Sequence, residues 1–216
     1  MTPARIGVLI SGSGSNLQAL IDRIHGVEST GEISVVLSNR RKAYGLERAR
    51  AVGIPTVVES HRGHASREAY DAKIVEHLRA HHVDWVLLAG FMRIVTPTLL
   101  SAFPNRVLNI HPALLPSFKG LHAQQQALDS GVSITGATVH LVTPEMDDGP
   151  TVAQGAVPVY PKDTLEDLKQ RILTVEHQIY PMVAQWICEG RLSIHEGVVT
   201  VALKANESRS LFSNGH

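Results

Sequence analysis

Residues 6–16 read Ile6-Gly-Val-Leu-Ile-Ser-Gly-Ser-Gly-Ser-Asn16, and the fold is decided there. Ile6 to Ile10 is a short apolar run bounded by a Gly/Ser loop, the pattern of a buried strand. The loop opens onto Leu17, Leu20, Ile21 and Ile24, whose spacings of 3, 1 and 3 place one apolar stripe along a helix. Strand, glycine loop and amphipathic helix in that order begin a βαβ unit, and hence a parallel sheet. The free N–H groups and positive end of such a helix make an anion site, for which a phosphate is the natural ligand.

The alternation continues outward. Ile33 to Leu37 reads as a second strand, Leu46, Ala49 and Val52 as a helix closed by Gly53, and Pro55 to Val58 as a third strand. Tyr70, Ile74 and Leu78 mark a helix behind Ser66. Asp84 to Ala89 and Arg106 to Ile110 are expected as central strands around a short helix at Thr98 to Phe103. Beyond His111 come a Pro/Gly-rich loop, a helix from about His122 to Leu128, and β-runs at Ile134 to Val142 and Thr151 to Val159. These runs are expected to add to the sheet in mixed or antiparallel fashion. A long helix opens at Asp163 or Thr164 and carries Leu165, Leu168, Ile172, Val175, Ile179, Met182 and Trp186 at spacings of 3 and 4. Pro181 is expected to kink it. The expected fold is therefore α/β and Rossmann-like, a mostly parallel central sheet with helices on both faces and a mixed C-terminal extension. Residues 1–205 should form one domain, with a phosphate-binding half at 1–103 and a catalytic half at 104–205. The polar residues 206–216 are expected to form a disordered tail.

Composition narrows the function. The 216 residues carry 20 Lys plus Arg against 20 Asp plus Glu, so there is no bulk attraction to nucleic acid or to an anionic membrane. At 44% apolar and 19% charged the chain is globular in composition. Cys188 stands alone, so no internal disulfide is available and a reducing compartment fits. The longest apolar run, Val86 to Met92, is far short of the roughly 20 residues that span a bilayer, and Ile6 to Ile10 is too short for a signal peptide. A cytoplasmic protein is expected. Twelve His residues invite a metal, but no HExxH or CxxC occurs, and His61, His64, His81 and His82 fall in segments that read as solvated surface. The glycine loop is a poor dinucleotide fingerprint. Leu17 stands where a third Gly is wanted, and Ser38-Asn39-Arg40 supplies no acid for a ribose, although Arg40 and Arg41 leave a 2′-phosphate open. No GK[ST] is present, which removes the P-loop.

A second constellation carries the chemistry. In Leu108-Asn-Ile-His-Pro112, Asn109 and His111 are two apart on a strand and leave the same face. Pro112 ends that strand, and in open α/β sheets ligands bind at the carboxyl ends of strands. The turn-forming Met146-Asp-Asp-Gly-Pro150 supplies a carboxylate which, brought onto the imidazole, would fix its tautomer and favour its cation. Amide, imidazole and acid together suit carbonyl transfer. In the long helix, Glu176 falls inside the apolar stripe, a costly place for a carboxylate unless something binds it. Arg67 follows the expected cap Ser66, where its charge opposes the helix dipole and an anion would offset it.

Ser11-Gly-Ser-Gly-Ser-Asn-Leu17, Leu88-Ala-Gly-Phe-Met-Arg-Ile94, Leu108-Asn-Ile-His-Pro-Ala-Leu-Leu-Pro116, Gly120-Leu-His122 and Glu176-His-Gln-Ile-Tyr-Pro181 closely resemble the phosphoribosylglycinamide formyltransferase family of purine synthesis. The resemblance runs from residue 5 to about 196. It implies transfer of formyl from 10-formyltetrahydrofolate to the amine of 5′-phosphoribosylglycinamide, without a metal. It further implies His111 as proton donor, Asn109 as the partner of the formyl oxygen and Asp147 as the acid that raises the pKa of His111. Gly14, Ser15 and Asn16 would hold the substrate phosphate and Glu176 would contact the phosphoribosylglycinamide. Arg67, Met92, Arg93, Ile94 and Val95 would line the folate site, with Asn109 shared. Asp148 departs from the Gly common in the family, with register against Gly149-Pro150 favouring Asp147. Val95 departs from the usual Leu, which an apolar pterin pocket tolerates.

Other readings remain at this point. Methionyl-tRNA formyltransferases share Asn-x-His-Pro, but a tRNA partner demands a basic face that this neutral chain lacks. A 10-formyltetrahydrofolate deformylase needs no phosphate loop. An NADP-dependent reductase through Arg40 and Arg41, or a non-catalytic phosphate-ligand binding protein, belongs to a different class. Monomer and homodimer are both open.

Overall fold

The alternation of residues 4–58 becomes three parallel strands, β1 (Ala4–Ile10), β2 (Gly31–Ser38) and β3 (Thr56–Val58), with helices α1 (Ser15–Ile24) and α2 (Gly45–Ala51) between them. Helix α3 (Arg67–Ala80) returns the chain to β4 (Trp85–Leu88), which pairs with the other side of β1. Helix α4 (Pro97–Ala102) then leads to β5 (Val107–His111), parallel to β4. After α5 (Ala123–Asp129), β6 (Ile134–Leu141) and β7 (Thr151–Pro158) add antiparallel. Helix α6 (Leu165–Cys188), the hairpin β8 (Leu192–His195) with β9 (Val198–Val201), and β10 (Ser210–Phe212) follow. The order across the eight-stranded sheet is β10-β7-β6-β5-β4-β1-β2-β3. This is a computed structural model, and it describes residues 3–25 and 31–213.

Strand order reverses at β1, because β2 and β3 build outward on one side while β4 and β5 build on the other. That reversal opens a crevice at the carboxyl ends of β1 and β4. The two faces of the sheet are buried separately, as period 2 requires. On one face Ile6, Val8, Ile10, Leu108 and Ile110 pack against Leu17, Leu20 and Ile24 of α1 and Ile172, Val175 and Ile179 of α6. On the other, Leu9, Leu37, Val86 and Leu88 meet Tyr70, Ile74 and Leu78 of α3 and Leu99 of α4. The buried Tyr180 hydroxyl reaches the carbonyls of Leu88 (3.0 Å) and Leu108 (3.3 Å), pinning α6 beneath the strand ends that carry the site. Among the described residues, no helix is long and apolar enough to cross a membrane.

Helix α6 carries the buried Pro181 within its length and runs to Cys188. One expectation is amended. The expected disordered tail 206–216 is ordered over much of its length, while residues 214–216 lie outside the described residues. Ser210–Phe212 pairs in parallel with Gln154–Ala156, and Arg209 Nε donates to the Val152 carbonyl at 2.7 Å. The polar composition misleads here because the free edge of β7 offers backbone partners, which any sequence can use.

Candidate active site

At the carboxyl end of β1 the chain turns through Gly14, whose φ of +70° suits glycine and which caps α1 without a side chain. A Cβ there would lie 2.6 Å from the Gly45 Cα, so the glycine is needed for close approach as well as for conformation. The first-turn N–H groups at Ser15 and Asn16 have no side-chain cap, the arrangement that receives an anion. Asn16 also reaches across to α6, where its Nδ2 donates to Glu176 Oε2 at 2.7 Å, while its own Oδ1 is buried without a partner. Glu176 is 7% exposed. Burial pushes its pKa up to about 7, with the Asn16 hydrogen bond opposing. The apolar-stripe position predicted for Glu176 is thus real, and the glycine-loop helix supplies its partner.

Two strands away, β5 delivers Asn109 and His111. The His111 Nδ1 lies 3.4 Å from Asp147 Oδ2, and its Nε2 donates to the Phe118 carbonyl at 2.8 Å. The ring is almost covered, but its neighbours are polar rather than hydrocarbon. The Phe118 carbonyl thus occupies the acceptor position of the Nε2 proton. Asp147 adopts φ +52° and accepts the Gly120 N–H at 2.9 Å through Oδ2. Gly149 stands two residues on, where a Cβ would fall 1.8 Å from the Leu141 carbonyl oxygen, so only glycine lets the loop return this closely to β6. Asp148 turns away to a short contact with Lys119. The question of which Asp meets the imidazole is settled in favour of Asp147.

His140 was not foreseen. It faces Asn109 across the β5–β6 ladder and is buried. Its Nδ1 donates to the Leu141 carbonyl at 2.9 Å, which leaves the Nε2 of the neutral ring to accept from Asn109 Nδ2 at 3.2 Å. Burial lowers its pKa, against the pull of the Leu141 carbonyl and Asp147, and so favours this neutral form. His140 Nε2 also lies 3.6 Å from Asp147 Oδ1. The neutral imidazole therefore orients the Asn109 amide. The signal in the sequence was a polar side chain two positions after Thr138 in an otherwise apolar strand, but the antiparallel register that aligns it with Asn109 is not written locally.

The segment after β4 forms a third side. Met92 and Ile94 are exposed, Val95 is buried, and Arg93 keeps Nε buried without a partner. Arg67 opens α3 with its side chain exposed, behind a Ser66 cap that accepts from the Ala69 N–H at 3.1 Å. Among the described residues, no hydrogen bond or ion pair joins Arg67 to the other candidates. The histidines taken as solvated surface are not uniformly so. Glu59 is shared between His64 Nε2 (3.0 Å) and His77 Nε2 (3.1 Å), and His61 packs edge-on to Tyr70. Among the described residues, no group of three or more His, Cys, Asp or Glu is placed to hold a metal ion.

Residues 4–184 match the formyl transferase family. The chain is 47% identical over 191 residues to the phosphoribosylglycinamide formyltransferase of Escherichia coli, covering 88% of this chain and 90% of that protein. Its fold superposes with a TM-score of 0.87 on glycinamide ribonucleotide transformylase 1 from Symbiobacterium toebii, at 51% identity over 93% of this chain and 94% of that one. The phosphoribosylglycinamide formyltransferase from Anaplasma phagocytophilum gives a TM-score of 0.90 at 42% identity, covering 98% and 99%. A glycine loop at an uncapped helix start, a cluster of Asn109, His111, His140 and Asp147 at the end of β5 and these similarities lead to one assignment: the chain belongs to the formyl transferase family.

Proposed function

We propose that the protein is a cytoplasmic transferase of purine synthesis that moves the formyl group of 10-formyltetrahydrofolate to the amine of 5′-phosphoribosylglycinamide. The observation that carries this reading is the His111 imidazole set beside the Asp147 carboxylate, with His140 reaching both that carboxylate and the Asn109 amide, two strands from an uncapped helix start. The phosphate of the amine substrate binds at Gly14, Ser15 and Asn16, and Glu176 meets the remainder of that molecule. The folate lies along Met92–Val95, where exposed Met92 and Ile94 offer apolar surface and the unpartnered Arg93 Nε offers a donor. Arg67 takes the anionic end, which offsets its unfavourable position on the dipole of α3.

Folate supplies the activated formyl group. As the amine nitrogen bonds to the formyl carbon, negative charge grows on the formyl oxygen. His111 Nε2–H and the Asn109 amide hold that charge. Asp147, lying 3.4 Å from Nδ1, keeps the ring aimed. The bond from carbon to the folate nitrogen then breaks, and the proton lost by the amine goes to that leaving nitrogen, directly or through water. The products are the N-formyl amide and tetrahydrofolate.

The test is to incubate the protein with 10-formyltetrahydrofolate labelled in the formyl carbon, with and without phosphoribosylglycinamide. Label should move to the ribonucleotide in a one-to-one ratio with tetrahydrofolate formed. Label released as formate, with or without the amine, would instead identify a deformylase.

A further inference from the structure

Met92–Val95 lies in neither a helix nor a strand, so no backbone ladder sets its shape. Two buried side chains from other elements hold its ends. At the start, the Ser11 hydroxyl accepts the Met92 N–H at 2.8 Å and donates to Asn39 Oδ1 at 2.6 Å. At the end, Asp71 Oδ2 accepts both the Thr96 N–H (2.6 Å) and the Thr96 hydroxyl (2.9 Å). Ser11, Asn39, Asp71 and Thr96 are all buried. Between the anchors, Met92 and Ile94 turn outward while Val95 packs in the core.

We propose that Ser11 and Asp71 are positioning residues for the folate co-substrate, fixing the two ends of Met92–Val95. This rests on reading that segment as the folate edge. Ser11 has a second role by its place in the chain, because it begins the loop that continues to Gly14, Ser15 and Asn16. It therefore joins the edge that receives folate to the loop that receives phosphate. Asp71 sits on α3, four residues after Arg67, so the same helix that presents the exposed cation also holds the far end of the segment. A carboxylate is suited to that end, since one of its oxygens takes two converging donors and its charge strengthens both hydrogen bonds. Loss of either anchor frees a segment end to move, and displacements on the order of 1 Å are enough to disturb a bound reactant.

Steady-state kinetics on Asp71→Ala, Asp71→Asn, Ser11→Ala and Ile94→Ala, each with a melting curve, tests the proposal. Asp71→Ala should raise KM for 10-formyltetrahydrofolate about tenfold and leave KM for phosphoribosylglycinamide within about twofold, whereas Asp71→Asn, which keeps an oxygen for the Thr96 donors, should restore the folate KM to within about threefold. Ser11→Ala should raise both KM values. If Asp71→Ala does not fold, Thr96→Val replaces it, with a folate KM raised by about threefold expected. An unchanged folate KM in the folded Asp71→Ala or Thr96→Val variant, or equal rises in both KM values without rescue by Asn, overturns the anchoring. A rise in folate KM with Ile94→Ala alone would sink the anchors and spare the folate edge. No rise in any variant would sink the folate edge itself.

Discussion

The carboxylate of Asp147 reaches His111 because a left-handed residue and a glycine fold its loop back onto β6. Asp147→Asn keeps an oxygen for the Gly120 N–H but removes the charge beside Nδ1, so kcat should fall about 10²-fold with little change in either KM. An unaltered kcat in steady-state assays would show that the acid only shapes the loop. Glu176 makes a different prediction. Its pKa rises from 4.5 to about 7 because it is buried. Between those values the folded chain keeps a proton that the unfolded chain has lost. Its contribution to stability is therefore complete below pH 4.5 and is lost as pH rises through 7, by about 3 kcal/mol in all. Glu176→Gln cannot titrate, so its melting temperature should exceed the parent's above pH 7 and converge with it near pH 5 in a melting series; parallel curves would contradict the burial argument. Asn109, His111 and Glu176 were legible because period 2 and period 3.6 place them relative to their own elements. His140 was not, because its partner is chosen by register between strands. The choice between Asp147 and Asp148 needed loop geometry, although register with Gly149 pointed the right way.

The junction of β1, the glycine loop and α1 carries the heaviest steric demand at the level of elements, since α2 presses on it at Gly45. Gly14→Ala must both strain a φ of +70° and push its Cβ against that backbone. It should raise KM for phosphoribosylglycinamide more than tenfold while the folate KM moves by less than about threefold, because only the anion site is deformed. Equal effects on both substrates would place the phosphate elsewhere. The parallel strands and the long helix were read correctly from hydrophobic period, since each buries a stripe of its own. The hairpin β8–β9 and the edge strand β10 escaped notice for the opposite reason. They are short and largely exposed, and β10 is held by backbone pairing and by Arg209 rather than by a patterned apolar face. Pattern reading finds elements that build a core and passes over those that merely join an edge.

For the whole molecule, the sheet order gathers the site. The carboxyl ends of β1, β4 and β5 lie side by side, so the glycine loop, the Met92–Val95 edge and the Asn109–His111 pair share one rim although up to about a hundred residues of chain separate them. Helix α6 crosses beneath that rim, bringing Glu176 to Asn16 and Tyr180 to the strand ends. The sequence pattern already placed the glycine loop and the Asn109–His111 pair at carboxyl ends of strands, where open α/β sheets bind ligands, whereas the Met92–Val95 edge was reached only through the family resemblance. The loop that carries Asp147 and the carbonyl of Phe118 against His111 had no such rule behind it. The most direct measurement of the central claim is the rate at which the purified protein and its His111→Ala variant consume 10-formyltetrahydrofolate at saturating phosphoribosylglycinamide. Consumption by the parent should depend wholly on the amine and should fall about 10²-fold or more in the variant, with phosphoribosylglycinamide still bound. Turnover that ignores the amine, or a variant as fast as the parent, would contradict it.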